Sequence, residues 1–172
     1  MIILAEIKTP SMEDYRVIPE YPPKISAGTI LTRLLDGLGF RFYWATEGLR
    51  KADYEFRPSP DCMSVEELVR HTWGLVNWVV ISATDGKYRR PAEAERIREQ
   101  VLEMVLFLRN EMSDISIEEL SETTIDGRSF WHIINGPIAD SLTHVGQINS
   151  FRRLSGNPVP KANVFTGTPP DE

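Results

Sequence analysis

The sequence predicts an all-α fold, a small four-helix bundle, and three observations carry that prediction. Four long stretches place apolar residues at helical spacing. Strict apolar–polar alternation over strand length is almost absent. The stretches are joined by short or medium segments rich in Pro, Gly and polar residues. With 172 residues and a hydrophobic fraction of 41%, the chain suits one domain with a sizeable core and no disulfide staples.

Residues 1–25 carry Pro10, Pro19, Pro22 and Pro23 and read as an extended N-terminal arm. The bundle follows over residues 26–157. Its first helix spans about Ser26 to Leu49, with Ile30, Leu34, Leu35, Leu38, Phe42 and Ala45 as its stripe; Gly37 and Gly39 within it suggest close packing. The segment Arg50–Met63, with Pro58 and Pro60, reads as a connecting loop. Ser64-Val65-Glu66-Glu67 is a capping box, the Ser64 hydroxyl meeting the Glu67 amide while the Glu67 carboxylate reaches back. It opens a second helix over about Val65–Ala83, ended by Asp85-Gly86. Pro91 suits the first turn of a third helix running to about Met112, with Ile97, Val101, Met104, Val105 and Leu108 facing the core.

Residues 113–129 are polar and include the turn signal Asp126-Gly127; a short strand could form around Thr123–Ile125. The fourth helix covers about Ser129–Leu154, and Gly156-Asn157-Pro158 stops it. Pro137 lies within that span, so either the helix kinks there or Asn135 caps a fresh start. Residues 158–172 read as a coil tail.

Composition narrows the function. The formal charge is −6 and the pI about 5.2, which argues against nucleic-acid binding, because phosphate backbones require a basic footprint. Arg89–Arg90 and Arg152–Arg153 read as solvated helix ends. The single cysteine, Cys62, excludes an internal disulfide and fits a reducing compartment. No basic leader precedes the short apolar run at the N-terminus, and no apolar stretch approaches the ~20 residues needed to span a bilayer. A cytoplasmic protein without membrane contact is expected.

The three histidines can be weighed one by one. Residues four apart on a helix lie about 40° from each other on one face. Asp140 and His144 have that spacing, on a face shared with Pro137, Ile148 and Phe151 that should point into the core. A carboxylate there is costly unless paired or bound to a cation. His71 shares a stripe with Leu68, Leu75 and Trp78, and Gly74 leaves room beside its ring. Two histidines and a carboxylate from facing helices form a ligand set with open positions, as catalytic metal sites have. Spacing alone leaves other readings open: a hydrogen-bonded core histidine, or a local Asp–His pair. Glu67, one turn before His71, is a rival ligand, although the capping box accounts for it. His132 falls off the site face, and the four tryptophans read as core or interface anchors.

The segment Ala139-Asp140-Ser141-Leu142-Thr143-His144-Val145-Gly146-Gln147-Ile148, followed by Phe151-Arg152-Arg153-Leu154-Ser155-Gly156, resembles the last helix of the DinB-like superfamily, which includes the YfiT-type bacillithiol transferases. The family pattern there is a His-x-x-x-His pair running into Arg-Gly-Gln, then Leu-Arg and Gly. The helix opened by Ser64, with His71 one and a half turns in, is similar to the family's second helix. The resemblance implies a four-helix bundle, usually a homodimer, with one divalent ion in its core held by His71, Asp140 and His144. Two positions depart from the pattern: Asp140 stands where His is commonest, and Val145 replaces Arg. Gln147 matches and lies about 60° from His144 around the helix, in reach of a ligand's outer hydrogen bond.

The expectation is therefore a metal-dependent enzyme, transferring a low-molecular-weight thiol to an electrophile or hydrolysing an amide-like bond, with zinc, nickel, iron or manganese as the ion. The alternative is a non-catalytic bundle that binds a small ligand or a protein through a degenerate metal site.

Overall fold

The structure is a computed structural model that describes residues 15–84, 86–125 and 127–171. Most of the N-terminal arm, Asp85 and Asp126 lie outside the described residues. The chain is mostly helical: α1 (Ala27–Thr46), α2 (Lys51–Glu55), α3 (Val65–Ala83), α4 (Ala94–Glu111), α5 (Ile117–Glu122), a two-residue hairpin of β1 (Thr124–Ile125) and β2 (Arg128–Ser129), α6 (Trp131–Ile133), a π-helical turn (Ile134–Ile138) and α7 (Ala139–Leu154).

Local chemistry explains the helix starts. The Ser64 hydroxyl accepts from the Glu67 amide at 3.2 Å and the Glu67 carboxylate accepts from the Ser64 amide at 2.7 Å, so α3 begins where the capping box places it. Ser26 and Thr29 form an equivalent box at α1. Three segments differ from the sequence reading. Arg50–Met63 is not all loop, because Asp53 accepts from the Arg50 amide at 2.9 Å and starts the short helix α2. The polar stretch 113–129 contains α5, opened by a third box between Ser116 and Glu119. Helix α4 begins at Ala94 rather than in a turn containing Pro91; Arg70 donates to the Ala92 carbonyl at 2.5 Å and ties down the preceding strand of backbone.

Helix α1 packs on α4 and α7, and α3 packs on the same two. The core between them holds Leu35, Leu38 and Phe42 of α1, Leu68, Val69, Val76 and Val80 of α3, Ile97, Val101 and Leu108 of α4, and Val145 and Ile148 of α7. Ile30, assigned to the α1 stripe from its spacing, is exposed instead; Leu31 takes the inward position. Gly39 faces the ring of Tyr15 so closely that a methyl there would overlap it, which fulfils the close-packing expectation.

Of the two alternatives for Pro137, the fresh start capped by Asn135 does not form. The residue has no amide proton and its ring crowds the carbonyl four residues back. The chain answers with one widened turn and continues without an Asn135 cap. Helix α7 ends in a Schellman arrangement: Gly156 at φ 78°, with Gly156 N–H donating to Arg153 O and Asn157 N–H to Arg152 O.

The reading of Arg152 as a solvated helix end is overturned. Its guanidinium is buried and donates to the carbonyls of Ala45, Glu47 and Asn157. Beside it, buried Asp53 accepts from Arg50, Ser155 and Asn157. This polar joint fastens the ends of α1 and α7 to α2.

Candidate metal centre

The α3–α7 contact brings His71 and the Asp140–His144 pair together. Asp140 Oδ2 lies 3.6 Å from His71 Nε2 and 3.4 Å from His144 Nε2. The three ligand atoms lie within 4.8 Å of one another, and the two imidazoles meet edge to face with centroids 4.7 Å apart. For bonds of about 2.0–2.1 Å, donor atoms around a tetrahedral ion stand roughly 3.3 Å apart. The two carboxylate–imidazole distances fit that spacing. They are too long for charge-assisted hydrogen bonds, which close to about 2.7–2.9 Å.

The π-helical turn sets the start of α7, and Asp140 occupies its first turn. Directly below it, the Ser141 hydroxyl donates to the Pro137 carbonyl at 2.6 Å and closes the widened turn. His144 Nδ1 is 2.7 Å from Gln147 Oε1. With that oxygen as acceptor, Nδ1 carries the proton and Nε2 presents its lone pair toward Asp140. His144 Nε2 is buried and has no hydrogen-bond partner among the described residues. A buried ring nitrogen left bare is costly, and a cation shared with Asp140 and His71 removes that cost. The residues present therefore fit a divalent ion, and Gln147 contacts the far nitrogen of the His144 ring.

The position of the cluster differs from the expectation of a core site. The side chains of His71 and Asp140 are 42% and 46% exposed, whereas that of His144 is 11% exposed. The inward face of α3 runs through Leu68, Val69, Thr72 and Val76, and that of α7 through Ser141, His144, Val145 and Ile148. His71 and Asp140 each sit at the border of those faces. The cluster thus lies at the rim of the α3–α7 seam, with His144 reaching down from it.

Glu67 is not a competitor. Hydrogen bonds from the Ser64 amide and from Arg57, at 2.6 Å, engage its carboxylate and hold its pKa below the ordinary value. His132 is exposed and outside the cluster. Trp44 and Trp73 are core residues, while Trp131 is 76% exposed.

The room that Gly74 was expected to leave beside His71 is present. A cavity of about 530 Å³ opens there, lined by Arg57, Cys62, Met63, Arg70, Gly74 and Arg90 among others. The loop before α3 supplies Cys62, whose sulfur accepts from the Ser59 hydroxyl at 3.3 Å. Arg90 lies over the Trp73 ring, 5.8 Å from its centroid. Gly74 and Arg70 share α3 with His71, the loop just before that helix supplies Arg57, Cys62 and Met63, and Arg90 comes from beyond it.

No helix is long and apolar enough to cross a membrane among the described residues. No protein-family model, curated protein or solved structure matches the chain.

Proposed function

We propose that this chain is a metal-dependent enzyme of the DinB-like type, a four-helix bundle that holds one divalent ion on His71, Asp140 and His144 and acts as a thiol transferase or hydrolase. The observation that carries the reading is the convergence of three ligand atoms on the partnerless, buried Nε2 of His144. Zinc, nickel, iron and manganese all accept two imidazoles and a carboxylate.

A bound divalent ion supplies a Lewis acid that lowers the pKa of a thiol or water toward neutrality. The residues around it do the positioning. Gln147 fixes the His144 tautomer, Asp140 contributes the negative charge, and exposure of His71 and Asp140 leaves one side of the cluster open to a substrate. The adjoining cavity of about 530 Å³ is within the size range of small-molecule sites. A homodimer belongs to the same reading. Trp131, Ile30 and Ile117 are exposed together along one apolar groove, which supports an interface there; light scattering that finds only the 19.6 kDa chain removes this part.

The deciding experiment is elemental analysis of the purified chain beside a His144→Ala variant. The proposal expects one divalent ion per chain, lost in the variant. A wild type that carries no ion and takes up none of the four metals overturns it and leaves the non-catalytic bundle as the reading.

A further inference from the structure

The opposite flank of α7 carries a second concentration of charge. Arg153 is about 140° around the helix from Asp140 and Asn149 about 180°, so both face away from the cation cluster. They line a cavity of about 270 Å³ between α1 and the C-terminal tail, together with Trp44, Arg41 and Lys161. A second cavity of about 710 Å³ adjoins it, sharing Arg41 and Val164, and includes Tyr21, Arg33 and Phe165. Four cations and one carboxylate, Glu20, line the two together. In a chain of net charge −6, this is a local inversion of sign that concentrates anions. Arg153 and Lys161 have no acidic partner among the described residues.

The cleft also offers two aromatic rings to solvent. Phe165 is 93% and Tyr21 82% exposed, and the backbone turn that carries Phe165 is tied down. The Asn163 side-chain oxygen accepts from the amides of Phe165 and Thr166 at 3.0 and 3.2 Å. Gly167, at φ 70°, donates to the Asn163 carbonyl, and its own carbonyl accepts from the Ile18 amide at 2.8 Å. The turn that presents Phe165 is thus anchored to the segment that carries Tyr21. Arg33 lies 4.8 Å from the Tyr21 ring centroid and donates to Pro19 O. Arg41 is oriented by the carbonyls of Gly37 and Val164. Aromatic rings open to solvent beside oriented guanidiniums suit a flat ring attached to an anion.

We propose that the cleft between α1 and the C-terminal tail binds a phosphorylated small molecule that carries an aromatic ring, a nucleoside monophosphate in class. Arg41, Arg153 and Lys161 take the phosphate, and Phe165 and Tyr21 take the ring. This site is independent of the cation cluster.

Isothermal calorimetry on the full chain, with AMP, adenosine and inorganic phosphate as probes, tests it. AMP binds saturably and at least tenfold tighter than either fragment. Arg153→Gln weakens AMP and phosphate alike, whereas Phe165→Ala weakens AMP and leaves phosphate unchanged; both residues are exposed, and unchanged melting temperatures confirm that the variants fold. AMP binds as tightly in excess EDTA as without it, which separates this site from the metal centre. AMP binding no tighter than adenosine or phosphate overturns the proposal, as does AMP binding unaffected by Arg153→Gln or by Phe165→Ala, or abolished by EDTA.

Discussion

Nε2 of His144 stands 3.4 Å from Oδ2 of Asp140 while Nδ1 of the same ring faces the Gln147 amide oxygen at 2.7 Å. One ring nitrogen is committed to a neutral acceptor and the other is held bare at the distance of a shared ion. The burial of that nitrogen, in a cluster whose other two members are half-exposed, makes His144 the fixed point of the site.

Under the proposed metal reading, Gln147 acts on the ion through His144. Replacing it by Ala removes the acceptor that selects the tautomer, and metal affinity falls by about 10- to 100-fold while the helix remains intact. Competition with a chromogenic chelator measures the loss. An unchanged affinity means that Gln147 does not orient the ring.

His71→Ala and His144→Ala both abolish metal binding but differ in their effect on the metal-free protein. The His71 side chain is 42% exposed and that of His144 11%, so the first substitution shifts stability by no more than about 0.5 kcal/mol. The second empties a buried position and costs about 1–3 kcal/mol. Urea unfolding in chelator resolves the two. Equal costs would show that His71 is packed more deeply than its exposure states.

What the sequence discloses follows the range of the interactions. The box at Ser64 and Glu67 and the stop at Gly156 act over three or four residues, so the bounds of α3 and the end of α7 are legible. The same grammar opens α5 at Ser116, but a six-residue helix with no buried residue leaves no periodicity to read. Arg152 reads as a surface cation because its acceptors, the carbonyls of Ala45 and Glu47, lie 107 and 105 residues away. The candidate trio is partly legible: Asp140 and His144 share one helix, whereas the approach of His71 to them depends on how α3 packs on α7.

Asp53 sets an acid limit on stability. Its pKa is held far below the carboxylate range, first by the Arg50 side chain and also by Asn157 and Ser155. A depressed folded-state pKa contributes stability that is complete above the unfolded value of about 3.9 and is lost as pH falls toward the folded one. Asp53→Asn costs about 1–3 kcal/mol at neutral pH, and the gap to wild type narrows below about pH 4. Asp36, whose pKa burial raises, contributes with the opposite sign. Denaturant midpoints across pH 2.5–7 test the difference; parallel curves for wild type and Asp53→Asn remove Asp53 as the cause.

Two glycines separate packing from propensity. A methyl at Gly39 would overlap the Tyr15 ring, whereas one at Gly74 meets nothing within 4 Å. Tyr15 is 2% exposed and cannot swing into solvent without leaving the core. Gly39→Ala consequently destabilises by about 1–3 kcal/mol despite the better helix former, and a smaller residue at position 15 recovers part of the loss. Gly74→Ala gains up to about 1 kcal/mol from helix propensity. Because its methyl reaches no neighbour, metal affinity stays at the wild-type value. Thermal unfolding of both variants and a metal titration of Gly74→Ala check the pair. A drop in metal affinity would place Gly74 in contact with the bound ion's open side, and an unaltered Gly39→Ala would show that Tyr15 yields without cost.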